Sequence, residues 1–127
     1  MRNFKRDISE LVQFFPKKEI EGDLNFVTSP ELPIQVGIHE PKEDRTSRRH
    51  LHKFFIEFFY VERGSITVTF TDGNFEQEVV KEIKEGEMFL MSPGVGHSVF
   101  LPKGCRVIEV HQGPYVNEKL FDTETND

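Results

Sequence analysis

The chain has 127 residues, 16 Lys and Arg against 22 Asp and Glu, and a formal net charge of −6. That length closes one hydrophobic core and excludes two ordinary domains, while the acidic balance is the wrong sign for gripping a phosphate backbone, so nucleic acid is not an expected partner. With 13 Phe, no Trp and one Cys, the core has to be Phe-rich, and neither a disulfide framework nor a cysteine-only metal site is available.

The first patterned segment is Asp7 to Phe15, where Ile8, Leu11, Val12 and Phe15 recur at helical spacing before Pro16; it predicts one short amphipathic helix. No continuous apolar stretch follows Arg2, Lys5 and Arg6, so a signal peptide is not expected and the cytoplasm is the expected compartment. The pattern then changes to short β-type runs: Leu24 to Thr28, Ile34 to His39, Phe54 to Glu62, Ser65 to Thr71, Phe75 to Ile83, Glu87 to Met91, His97 to Leu101 and Arg106 to His111. Eight such runs predict an all-β sandwich or barrel, with a hairpin at Asp72-Gly73. The expected organisation is a helix and lead-in over 1–22, a barrel over 23–115 and an acidic tail over 116–127, the tail being either a frayed end or an arm on a partner subunit. No apolar run approaches the roughly 20 residues of a membrane helix.

Four residues stand where chemistry is expected. His50 and His52 are two apart, so on an extended segment both imidazoles share a face and reach one ion. Glu57 sits beside Phe58, Phe59, Tyr60 and Val61, where an uncompensated buried carboxylate is costly; a cation would serve as its partner. His97 follows Ser92-Pro93-Gly94-Val95-Gly96, a turn-rich stretch that delivers a histidine to the start of a strand.

From His50 to Gly64 the sequence HLHKFFIEFFYVERG resembles the first motif of the cupin superfamily, GxxxxxHxHxxxxExxxxxxG, and from Gly86 to His97 the sequence GEMFLMSPGVGH is similar to the second, GxxxxxPxGxxHxxxN. The departures are Asp44 for the leading Gly, Ser92 for the Pro (with Pro93 one residue later) and Leu101 for the final Asn, none of them a ligand position. The resemblance implies a small jelly-roll β-barrel holding one divalent transition metal on His50, His52, Glu57 and His97, and frequent homodimers. Imidazole and carboxylate donors suit Fe, Mn, Co, Ni, Cu or Zn better than Ca or Mg, and positions left open on the ion would bind a substrate oxygen.

Around this set, Arg45, Arg48, Arg49 and Lys53 form either a solvated loop face or a local positive field that concentrates an anionic small-molecule substrate; Arg49 and Lys53 are the candidate contacts. His111 and Glu109 share a face of the last run opposite Ile108 and Val110. If that face lines the barrel, His111 contacts substrate or acts as a base; otherwise both are solvated. His39 has the same ambiguity, and a structural role is the expectation.

Three functions follow from the resemblance. The leading one is a metal-dependent enzyme acting on a sugar derivative or organic acid, by isomerisation, epimerisation or dioxygenation, with Glu57 doubling as proton acceptor. Two alternatives are a metal-free barrel similar to nucleotide-sugar ketoisomerases, suggested by Arg49 to Lys53 and the strand from Gly64, and a barrel that binds a small molecule without turnover.

Overall fold

Strict alternation of side chains across the β-runs decides the architecture, because each run offers one apolar or functional face and one outer face. The computed structural model describes residues 12, 24–28, 31–112 and 122–124. Eleven strands are found among them: β1 (Leu24–Phe26), β2 (Ile34–His39), β3 (Arg45–Thr46), β4 (His50–His52), β5 (Glu57–Arg63), β6 (Ser65–Thr71), β7 (Glu78–Lys84), β8 (Met88–Met91), β9 (Gly96–Leu101), β10 (Arg106–Gln112) and β11 (Asp122–Glu124). They form two sheets, one ordered β1-β2-β10-β5-β8 and one ordered β11-β4-β9-β6-β7, with β3 also on β9. All pairings are antiparallel.

The inner faces of the two sheets meet in a core of Phe59, Val61, Ile66, Val68, Ile83, Met91, Val99, Leu101, Cys105 and Val107, with Phe70, Phe89 and Val95 packed against it. Phe59 stacks on Phe89, whose ring meets Phe70 edge-on. At Gly64, φ is +82° and a Cβ would stand 3.2 Å from the Cys105 side chain, so the β5–β6 connection bends tightly against the core because no side chain is there.

Three expectations shift. The helix predicted over residues 7–15 lies outside the described residues apart from Val12, which is exposed and not helical, and no helix is present among the described residues. Phe75 is not a strand residue: it sits at φ 58° in the β6–β7 connection, where its N–H donates to the Asp72 carbonyl and Asp72 Oδ1 accepts the N–H groups of Asn74 and Glu76. The side-chain oxygen organises the turn locally, so the strand starts later, at Glu78. Residues 122–124, within the acidic tail, form β11 against β4.

Candidate metal centre

Each sheet contributes part of the site. β4 carries His50 and His52 on its inner face, and β9 brings His97 opposite His50 in register. Glu57 opens β5 in the facing sheet, between Met91 of β8 and His111 of β10. The centre therefore lies between the sheets: strand pairing sets His97 beside His50, and closure of the sandwich brings Glu57 against the histidines.

The ligand nitrogens of His50, His52 and His97 all lie within 4.8 Å of one another, with ring centroids 4.3 Å apart for His50 and His97 and 5.0 Å for His50 and His52. Two rings are oriented by backbone. His50 Nδ1–H donates to the Arg48 carbonyl at 2.7 Å and His97 Nδ1–H to the Val95 carbonyl at 3.2 Å. A carbonyl only accepts, so the proton sits on Nδ1 and the neutral ring keeps its Nε2 lone pair for an ion. The turn before His97 is tied to the same centre: Gly94, at φ +90°, donates its N–H to the His52 carbonyl.

Glu57 is 4% exposed. One carboxylate oxygen contacts His52 Nε2, and the other lies 3.7 Å from His97 Nε2. Burial pushes its pKa up, but the hydrogen bond from His52 and the charges of His52, His97 and His111 outweigh burial and hold it below the usual carboxylate range. Burial also lowers the His97 pKa to about 4 against the opposing pull of Glu57. An ionised carboxylate beside a neutral imidazole is the protonation state a divalent cation requires. The donor set and the fixed tautomers fit a transition metal.

The small pocket over the centre encloses about 140 Å³, part of it open to solvent, and is lined by His52, Phe55, Glu57, Met91, Ser92, Val95 and His97. Phe55, Met91 and Val95 are not marked out in the sequence, since an apolar residue in an apolar run carries no sign of which cavity it borders. His111 is buried next to Glu57, its Nδ1–H donating to the Gln112 carbonyl at 2.6 Å. His39 Nε2 and Glu109 Oε1 are 3.2 Å apart, so the inner face of β2 and β10 is a buried polar wall and not a solvated one. The Arg49 guanidinium packs over the Phe75 ring and lies 3.5 Å from Glu78. Lys53 is exposed.

The geometry agrees with the comparisons. Solved structures similar to this chain include oxalate decarboxylase from Bacillus subtilis at pH 4.6, with 21% identity and a TM-score of 0.60, covering 74% of this chain and 24% of that chain. A tryptophan-to-phenylalanine variant of the same enzyme gives 19% identity and a TM-score of 0.66 over 85% of this chain and 30% of that chain. A formate complex of Lactobacillus farciminis oxalate decarboxylase gives 22% and 0.60 over 76% and 30%. The chain thus spans less than a third of these relatives, and the likeness is one of fold. No curated protein matches the sequence. No helix among the described residues is long and apolar enough to cross a membrane. The cupin domain family matches residues 38–111, which contain both sheets' central strands and all four candidate ligands, and the chain belongs to that family.

Proposed function

We propose that the protein is a metal-dependent cupin enzyme acting on a small polar substrate of the organic-acid class, with His50, His52, Glu57 and His97 as the ligands and a homodimer as the working assembly. The observation that carries this reading is the convergence of three imidazoles with their ligand nitrogens within 4.8 Å of one another, two of them with the tautomer set by backbone carbonyls. The organic-acid branch is preferred over the sugar branch because the similar structures are oxalate decarboxylases, one of them in complex with formate. Manganese is the first metal to test, since the Bacillus subtilis neighbour is described with Mn(II) centres; iron, zinc, nickel, cobalt and copper follow.

The metal, when bound, supplies a Lewis-acidic centre for a substrate oxygen. The protein's own contribution is positional and protolytic. The Arg48 and Val95 carbonyls orient two rings, Phe55, Met91 and Val95 exclude water from one side, and Glu57 accepts a proton in an isomerisation or positions the substrate in an oxidation. His111, beside Glu57, is a candidate substrate contact. Arg49 and Lys53 remain the candidate contacts for an anionic substrate, their positive charge favouring its approach.

Elemental analysis of protein purified without chelator tests the reading. Near-stoichiometric transition metal is expected in the wild type, and less than a tenth of it in His97→Ala. Wild-type protein that stays metal-free after reconstitution with each ion would sink it. Activity is then screened with small organic acids, first with oxygen consumption and then with product analysis.

A further inference from the structure

The connection between β4 and β5 runs from Lys53 to Ile56, and a candidate ligand stands at each end of it, His52 and Glu57. Both ends are pinned. The His52 carbonyl accepts the Gly94 N–H at 2.9 Å. Ile56 exchanges two hydrogen bonds with Gln112, its N–H donating to the side-chain Oε1 at 3.0 Å and its carbonyl accepting the Gln112 N–H at 3.3 Å. Held this way, the side chains divide: Lys53 is exposed, Phe54 is 61% and Ile56 38% exposed, and Phe55 alone is turned in, at 8%.

Phe55 is buried without belonging to the hydrophobic core. Of the apolar residues that line the pocket, Met91 lies in the core cluster and Val95 packs against it, whereas Phe55 does neither. Its ring meets the site instead, with centroids 6.4 Å from His52 and 5.9 Å from His111, inside the range of aromatic contact. Sliding a third flat ring between two others takes two carbon contacts of about 3.5 Å each, so about 7 Å between them. The 6.4 Å from Phe55 to His52 is less than that, so the wall beside this candidate ligand is closed to a ring.

We infer that Phe55 determines which acids the centre accepts: it admits a carboxylate with a hydrogen or one small group on its carboxyl carbon and rejects one that bears a bulky aromatic or branched group. This rests on the metal centre proposed above and extends it from the ligands to the substrate. The wall can discriminate because the backbone that carries it is tied at both ends. The connection cannot swing away as a unit without breaking the hydrogen bonds of Gly94 and Ile56, and the ring itself is backed by His111. The side chain is also separable from the fold: removing it takes nothing from the core cluster, so the site can be widened with the sandwich left standing.

Cobalt(II), whose visible absorption changes when an anion joins its ligands, is loaded into the full chain, and formate, acetate and benzoate are titrated in turn. The wild type is expected to bind formate and acetate, and benzoate at least about tenfold more weakly than formate. Phe55→Ala is expected to strengthen benzoate binding at least about tenfold while formate moves by less than about threefold. Phe55→Leu should fall between the two, and Phe54→Ala, at the exposed neighbour, should match the wild type. Circular dichroism and cobalt content on each sample show that fold and metal are intact; if Phe55→Ala does not fold, Phe55→Leu decides alone. Benzoate binding equal to formate binding in the wild type overturns the inference, as does a wild type that binds none of the three. So does unchanged selectivity in the Phe55 variants, or a Phe54→Ala that widens it equally. In each of those cases cobalt held by the wild type leaves the metal centre standing, whereas wild-type protein that takes up no cobalt removes both.

Discussion

Gly96 shows how little freedom the metal centre leaves at a single residue. A Cβ there would come within 2.1 Å of Thr71 Oγ1 and 2.8 Å of the Phe75 ring, so Thr71 and Phe75 fill the space a side chain would take, directly before His97. Gly96→Ala is expected to lower stability by about 1–3 kcal/mol, the usual cost of overpacking, and to weaken metal binding by displacing His97. Urea unfolding measures the first effect and metal titration the second, and adding Thr71→Ala should recover part of both. His97 supplies a pH prediction. Its folded pKa of about 4 lies below the ordinary 6.5, so the unfolded chain takes up a proton between those values while the folded chain does not. Stability of the metal-free protein therefore falls as pH drops from about 6.5 to about 4, by roughly 3 kcal/mol from this residue. Glu57, held below its usual range, adds a further loss as pH falls through its folded pKa. Unfolding midpoints compared between neutral and mildly acidic buffers in chelator should show a shallower pH slope in His97→Gln.

At the scale of elements, the β6–β7 connection matters beyond its own turn. Asp72 Oδ1 accepts two backbone N–H groups, at 3.1 and 2.9 Å, and the turn it organises seats Phe75 over Gly96 and beneath Arg49. Asp72→Ala is expected to cost about 1–2 kcal/mol and to loosen the β4–β9 contact, while Asp72→Asn, which keeps an acceptor, retains most of the stability. Urea midpoints of the two variants separate these outcomes. Register is the second constraint at this scale. A one-residue slip of β5 would turn Glu57 to the outer face and Phe58 inward, so the apolar inner positions Phe59 and Val61 that hold the core also fix the carboxylate beside His52. Alternation makes β2 and β6 legible to the residue, because their runs are bounded by turn signals on both sides. β5 begins at Glu57, three residues into its apolar run, since Phe54 to Ile56 are as apolar as the strand that follows and carry no mark of where pairing starts.

For the whole molecule, a ligand bridging the two sheets acts on global stability, because His50, His52 and His97 come from one sheet and Glu57 from the other. A divalent ion at about 100 times its dissociation constant is expected to stabilise the fold by about 2.7 kcal/mol, seen as a rise of several degrees in Tm on adding Mn, Fe, Zn, Ni, Co or Cu salts. His97→Ala should abolish the rise, and an unchanged rise in that variant would mean that the ion binds elsewhere.

The sequence by itself determined the all-β class and most strand positions, because period-two alternation and turn residues are local properties of the chain, and its resemblance to the family motifs marked out four candidate ligands, three of which the fold brings together as imidazoles. Tertiary structure alone decided which face of each strand is inner. His111 and Glu109 share a face opposite Ile108 and Val110 by alternation, but only the stacking of two sheets makes that face the interior and leaves the apolar one outside. It also decided that Arg49, one residue from His50, packs over Phe75 and beside Glu78, since the direction of a side chain next to a short strand depends on what the rest of the fold sets against it.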